Sequence, residues 1–279
     1  MASKYGNSRH FASMAAFVDH CGSIPVENQA TSRHTHRAEW QGTATYEDAA
    51  AMAHGWQDGA RMIERVKATL KVKTSRTRNT TAMAVTGPGS LSMGNLMAGH
   101  PAPYVVFKPT NQVKRGRGKV VKVLVNVSAS GMVSTEVIER RGAAVVALID
   151  ALENAGRRVE VTGVMAITPS ARYGSTGRLE YRIDLKRAES RLNLASLAFA
   201  LAHPSMLRRF CFAAVESENA DNRQMFGAGG SYGIPADVTP EEGTIYLGRM
   251  HGLDRQWDAP ETAAEWVRTE AAKQGVKIG

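Results

Sequence analysis

The chain has 279 residues, 35 Lys and Arg against 26 Asp and Glu, a formal charge of +9, and hydrophobic and aromatic contents of 43% and 6%. That length buries a substantial core, and no apolar run reaches the roughly 18 residues of a membrane-spanning helix. Cys21 and Cys211 are the only cysteines, which excludes a disulfide framework and a cysteine zinc site; with no secretory h-region in MASKYGNSRHF, the expected setting is the reducing cytoplasm.

Residues 1–44 are polar and poorly periodic, with a short helix expected over 13–20 and loop around Gly22, Pro25 and 28–37. From Tyr46 to about Val72 the apolar residues Ala49, Ala53, Trp56, Ala60, Ile63, Val66 and Leu70 recur every three or four positions, which predicts one long amphipathic helix. Thr45 is its expected N-cap, with Glu47 and Asp48 in the first turn. Gly55 and Gly59 each weaken it by about 1 kcal/mol relative to alanine. Residues 74–81 lack apolar side chains and 87–103 are rich in Gly, Pro and Met, so both read as loop. The basic run at 114–119 (KRGRGK) leads into the next element.

Residues 120–127 (VVKVLVNV) form an apolar, β-branched run, as in a strand buried on both faces. A helix over 134–154 follows, with Gly156 where a C-terminal cap belongs, and then a strand over 158–166. This spacing predicts a right-handed βαβ unit. Further elements are expected at 181–185 (strand), 192–202 and 205–215 (helices broken by Pro204) and 244–248 (strand). A last helix is expected to open with Asp258 and Glu261 in capping-box spacing. The alternation predicts a doubly wound, mostly parallel α/β domain over 119–279, preceded over 1–118 by a helical, basic extension.

Charge is concentrated. Residues 61–119 hold twelve Lys and Arg and one acid, Glu64, so the rest of the chain is close to neutral. The bases at Lys67, Lys71, Lys73, Arg76, Arg78, Lys114, Arg115, Arg117 and Lys119, interleaved with Thr, Asn and Gly, suit phosphate oxygens and close backbone approach to a polyanion. A surface for an acidic protein partner and a merely solvated face are the competing readings.

The loop after the first confident strand reads Asn126-Val-Ser128-Ala-Ser130-Gly131. It resembles the start of a von Willebrand factor A (vWA) domain, where a buried strand ends in Asp-x-Ser-x-Ser before a long amphipathic helix. The resemblance implies a Rossmann-like α/β fold and a Mg²⁺ site completed by a partner's carboxylate. Asn126 is neutral where that family has a charge, and nothing else offsets the cost of stripping water from Mg²⁺. The motif is therefore read as degenerate and no tight metal site is expected; the bland alternative is hydroxyls that satisfy loop and helix-start amides. Through LMAGHPAPYVVF, ERRGAAVVALIDALENAGRRVEV and LAFALAHPSMLRRF the sequence also looks like uncharacterised tailed-bacteriophage proteins, a resemblance that implies no activity.

Other motifs fall short. Gly229–Gly233 (GGSYG) matches G-x-S-x-G but lacks the strand before and helix after that a nucleophile elbow needs, and Tyr232 replaces the third glycine of a dinucleotide fingerprint. His34 and His36 have no completing metal ligands, and His203 reads as an interhelical structural histidine. Trp56, Trp257 and Trp266 read as core, with Trp40 the one expected exposed tryptophan. No catalytic constellation or cofactor site is complete. The expectation is a non-enzymatic binding protein of a bacteriophage that contacts nucleic acid through phosphates. The alternative is a virion structural or assembly protein whose basic arm packs on an acidic neighbour.

Overall fold

A computed structural model of the chain describes residues 5–30, 32–33, 37–69, 79–84, 90–109, 120–170 and 176–278. It opens with a strand, β1 (Tyr5–Phe11), where the sequence reads as polar loop. In α1 (Met14–Gly22) the Ser13 hydroxyl accepts from the Ala16 N–H, and Phe17 and Cys21 are buried. A single turn, α2 (Ala38–Gln41), follows.

The helix expected over 46–72 is two helices, α3 (Tyr46–Ala53) and α4 (Gln57–Thr69). Thr45 caps α3 in a reciprocal pair with Asp48. The break comes at His54–Trp56, because the Trp56 N–H donates to the Ala195 carbonyl instead of to its own helix, and low-propensity Gly55 allows the turn. The loop stretches contain a small antiparallel sheet: β2 (Asn79–Ala84), β3 (Ser90–Leu91), α5 (Met93–Met97) and β4 (Tyr104–Pro109), in the order β2-β4-β3.

The βαβ unit forms as its sequence dictates, from β5 (Val120–Asn126), α6 (Thr135–Asn154) and β6 (Arg158–Thr168), with β5 and β6 parallel. Ser134 caps α6, and Gly156 ends it at φ +82°. β7 (Gly177–Lys186) returns antiparallel to β6. α7 (Leu194–Ala202) is followed, past Pro204, by a π-helical segment, Met206–Cys211, and by α8 (Phe212–Glu216). Then come α9 (Ala220–Met225), β8 (Ile234–Pro235), β9 (Ile245–Leu247) and α10 (Pro260–Lys273). The expected Asp258 capping box does not form: Ala259 is the N-cap, and Asp258 ends the preceding 3-10 turn.

The main sheet has the order β1-β7-β6-β5-β9, with β8 paired to the end of β6. β1 is parallel to β7, and β5 is parallel to both β6 and β9. Alternation separates the two faces. Val121, Val123 and Val125 of β5, Met165 of β6 and Tyr181 and Ile183 of β7 share one core with Phe17, Ile63, Leu148, Phe199 and Val267 from the helices. Among the described residues the opposite face buries a small apolar cluster, Leu124, Val164 and Ala166 against Val238. It otherwise carries charges, including Lys122–Glu241 at 2.6 Å and His10–Asp184 at 2.7 Å.

Two expectations change as a result. The buried helical side chains gather on one face, whereas a doubly wound sheet has helices on both. The region before residue 119 also does not stand apart, since β1 pairs with β7 and Phe17, Cys21 and Ile63 belong to the common core. Among the described residues no helix is long and apolar enough to cross a membrane.

Candidate functional site

β5, β6 and β9 run in one direction and end at Asn126, Thr168 and Leu247. Ligands of open α/β sheets gather beyond such carboxyl ends. The segments after β5 and β9 lie side by side there: the Met250 N–H donates to the Ser128 carbonyl at 2.9 Å, and the Ser130 N–H donates to the Met250 carbonyl at 3.1 Å.

The Asn126–Ser128–Ser130 motif is consumed by this architecture. Asn126 Oδ1 accepts the Ser128 N–H at 3.0 Å, and its Nδ2 donates to the Ala236 carbonyl at 2.8 Å. The Ser128 hydroxyl donates to the Ala166 carbonyl and accepts the Ala166 N–H, at 3.1 and 2.9 Å. Ser130 Oγ accepts the Met132 N–H at 3.4 Å. These groups tie the loop to β6 and to residue 236. Among the described residues no group of three His, Cys, Asp or Glu side chains could hold a metal ion.

Three buried arginines surround this end of the sheet. Arg141 of α6 donates to the carbonyls of Asn126 (3.1 Å) and Gly248 (2.7 Å), joining the ends of β5 and β9. Arg209 donates from Nε to Thr43 Oγ1 (2.7 Å), from Nη1 to the Ser32 carbonyl (3.0 Å) and from Nη2 to the Thr43 carbonyl (2.8 Å). Arg208 donates from Nη1 to the Trp40 carbonyl and to Thr135 Oγ1 (3.1 Å), and from Nη2 to the Val133 carbonyl (2.6 Å). Burial pulls the pKa of Arg141 and of Arg208 down to about 10, which leaves both charged at neutral pH. Helix position alone hides these residues, although Arg141 stands on the apolar stripe of α6, three residues after Ile138 and four before Val145. That placement is the one sequence signal of its burial.

Glu216 is the buried acid nearby. Its carboxylate accepts the Ala30 and Ser32 N–H groups at 3.3 and 3.2 Å, together with the hydroxyls of Ser32 and Tyr232. Tyr232 has φ +52°, the single positive φ among the described non-glycine residues, and its ring stacks on Phe212 at 3.9 Å and 3°. The GGSYG segment is thus a loop over the sheet edge, with α9 before it. Trp40 is half-buried rather than exposed, its ring 4.4 Å from the Arg208 guanidinium carbon. Between Trp40, Ser130, Arg208, Phe212 and Tyr232 lies a crevice of about 270 Å³.

His203 is an interhelical histidine, stacked on Phe199 at 5.0 Å and edge-on to Trp56 at 4.6 Å, with Nδ1 accepting the Ser205 N–H. Burial, and then the charge of Arg209, pull its pKa from 6.5 to about 4. Between those values the unfolded chain binds the proton and the folded chain does not, so stability is full above pH 6.5 and falls as pH drops toward 4. The expected loss from this group is about 3 kcal/mol. Urea midpoints at pH 7, 5.5 and 4 check it, since His203→Gln should lose that part of the slope.

The basic residues divide. Lys67 is 6% exposed, with Nζ 2.8 Å from Glu64 and 2.7 Å from Asp150. It anchors α4 to α6 and is withdrawn as a phosphate contact, because both its charge and its position are taken. Lys71, Lys73, Arg76, Arg78, Lys114, Arg115, Arg117 and Lys119 lie outside the described residues, as do His34 and His36. The strands next to the two basic runs are described: β2 and β4 pair antiparallel with Asn79 opposite Pro109. The second run is followed in the chain by Val120, the first residue of β5.

A family model described as "Domain of unknown function (DUF7192)" matches residues 4–278. No curated protein and no solved structure matches the chain.

Proposed function

The chain belongs to the DUF7192 family, and from that premise we propose that it is a non-enzymatic binding protein that contacts the nucleic-acid backbone through its basic residues. The α/β part is left to bind a protein partner or another copy of the chain. In this reading the protein is encoded by a bacteriophage and acts in the host cytoplasm. One observation carries the reading: twelve bases against one acid over 61–119, most of them in the runs at 71–78 and 114–119. Arg61 pairs with Asp58 and Lys67 with Asp150, which leaves those two runs as the contact.

Polarisation of labelled single- and double-stranded oligonucleotides tests it. Binding should be measurable at about 50 mM salt and fall steeply as salt rises, by roughly 0.7–0.9 in the log–log slope per phosphate contact. Changing Arg76, Arg78, Arg115 and Arg117 together to Gln should lower that slope by about 3. Folded protein that shows no binding at low salt would sink the proposal.

A second reading, a virion structural or assembly protein, has its own support. Leu91 of β3 and Met93, Leu96 and Met97 of the adjoining α5 are all exposed, and exposed apolar surface of this kind marks protein contacts. A discrete oligomer free of nucleic acid, judged by solution mass and by the 260 to 280 nm absorbance ratio, would favour it.

A further inference from the structure

We propose that the crevice between Trp40, Arg208, Phe212 and Tyr232 is a binding site for a small aromatic carboxylate. It lies beyond the carboxyl ends of β5 and β6, where the segment after β5 faces the loop that carries Tyr232, so the topology alone would send a ligand there.

The charge argument rests on Arg208. Its guanidinium carries five N–H donors, and three of them reach the Trp40 carbonyl, Thr135 Oγ1 and the Val133 carbonyl. Nε–H and the second Nη2–H have no acceptor among the described residues. The leftover donors sit on Nε and Nη2, the two nitrogens whose shared edge matches the two oxygens of a carboxylate. The residue is 1% exposed and lines the crevice, and it forms no ion pair among the described residues. Glu136 acts on it only through its field. Buried charges are ordinarily paired, and the leftover donors of Arg208 are where an anion would pair with it.

The walls define the rest of the ligand. Trp40 lies across the guanidinium, and Phe212 and Tyr232 present a flat, stacked pair. Met165, Ile167 and Leu207 add apolar lining. The volume of about 270 Å³ is below the roughly 300–1,000 Å³ of drug-sized sites, so it holds one ring with a short acidic substituent and not a nucleotide. One guanidinium fork balances the single charge of a carboxylate, whereas a phosphate dianion would leave charge unmatched. Tyr232 has a left-handed backbone, and its hydroxyl donates to the buried Glu216 carboxylate, which holds the ring in place as a wall.

Benzoate, its neutral methyl ester and phenyl phosphate, titrated into the full chain by calorimetry and thermal shift, decide the matter. Benzoate should bind once, saturably, and raise Tm; the ester should do neither, and phenyl phosphate should bind more weakly than benzoate. Arg208→Lys, which cannot present the fork, should weaken benzoate at least tenfold. Phe212→Ala should do the same, and this partly exposed ring provides the test if the arginine variant does not fold. The proposal is overturned if folded wild-type protein does not bind benzoate, if the ester binds as well, if phenyl phosphate binds more tightly, or if a folded variant binds benzoate unchanged. None of these outcomes bears on binding by the basic runs.

Discussion

Gly142→Ala is expected to destabilise the protein by about 3 kcal/mol or more, read as a lowered urea midpoint at unchanged m-value. A Cβ at position 142 would stand 2.2 Å from the Leu201 carbonyl oxygen and 2.3 Å from the Ala202 Cα. Both are backbone atoms of α7, so no rotamer change relieves the contact, and the two helices would have to part. α6 has little room for this, because α4 and α10 also pack against it and its residues from Arg141 to Leu152 are buried throughout. Overpacking costs of about 1–3 kcal/mol assume that side chains can adjust; here they cannot. Alanine's better helix propensity, about 1 kcal/mol, offsets only part of the loss. A variant as stable as wild type would show that the helices do not meet this closely.

The second large effect belongs to Arg209, which is 0% exposed. Arg209→Met removes three hydrogen bonds from a charged donor and strands the Ser32 and Thr43 carbonyls, in residues that are themselves buried. Charged hydrogen bonds contribute about 1.5–3 kcal/mol each and are not additive, so a loss of about 3–5 kcal/mol is expected. Arg209→Lys keeps the charge but cannot reach three acceptors from one ammonium, and should fall between the two. Urea denaturation of the three proteins checks the order, and Lys as stable as Arg would show that the fork geometry is irrelevant. Met as stable as Arg would show that the buried carbonyls need no donor.

The parts of the fold that could be read in advance are those whose own residues determine them. VVKVLVNV is apolar and β-branched over its whole length, α6 keeps a strict apolar stripe between Ser134 and Gly156, and Thr45 brings its cap partner Asp48 with it. What could not be read depends on distant partners. The residues YGNSRHF become a strand only because β7 offers a free edge, and the helix over 46–72 breaks because Ala195 supplies an acceptor to Trp56. The site was the least legible. Asn126, Ser128 and Ser130 have the residue types of a metal motif, but in the fold their polar atoms turn to backbone partners. Arg208 and Arg209 look like two helix-surface cations until the segment around them is seen to be buried.

The place of β1 at the sheet edge has a consequence for synthesis of the chain. Its partner β7 leaves the ribosome about 170 residues later, since Phe11 sits opposite Ile183, and at about 5–20 residues per second that is a wait of roughly 9–34 s. Over that interval the strand that will close the sheet has no edge to join. A β-branched, apolar heptapeptide waiting that long would be an aggregation hazard. Asn7, Ser8, Arg9 and His10 instead give the nascent segment little that another chain could zip onto. The polar composition that hides β1 from a reader of the sequence also keeps it soluble until its partner is made.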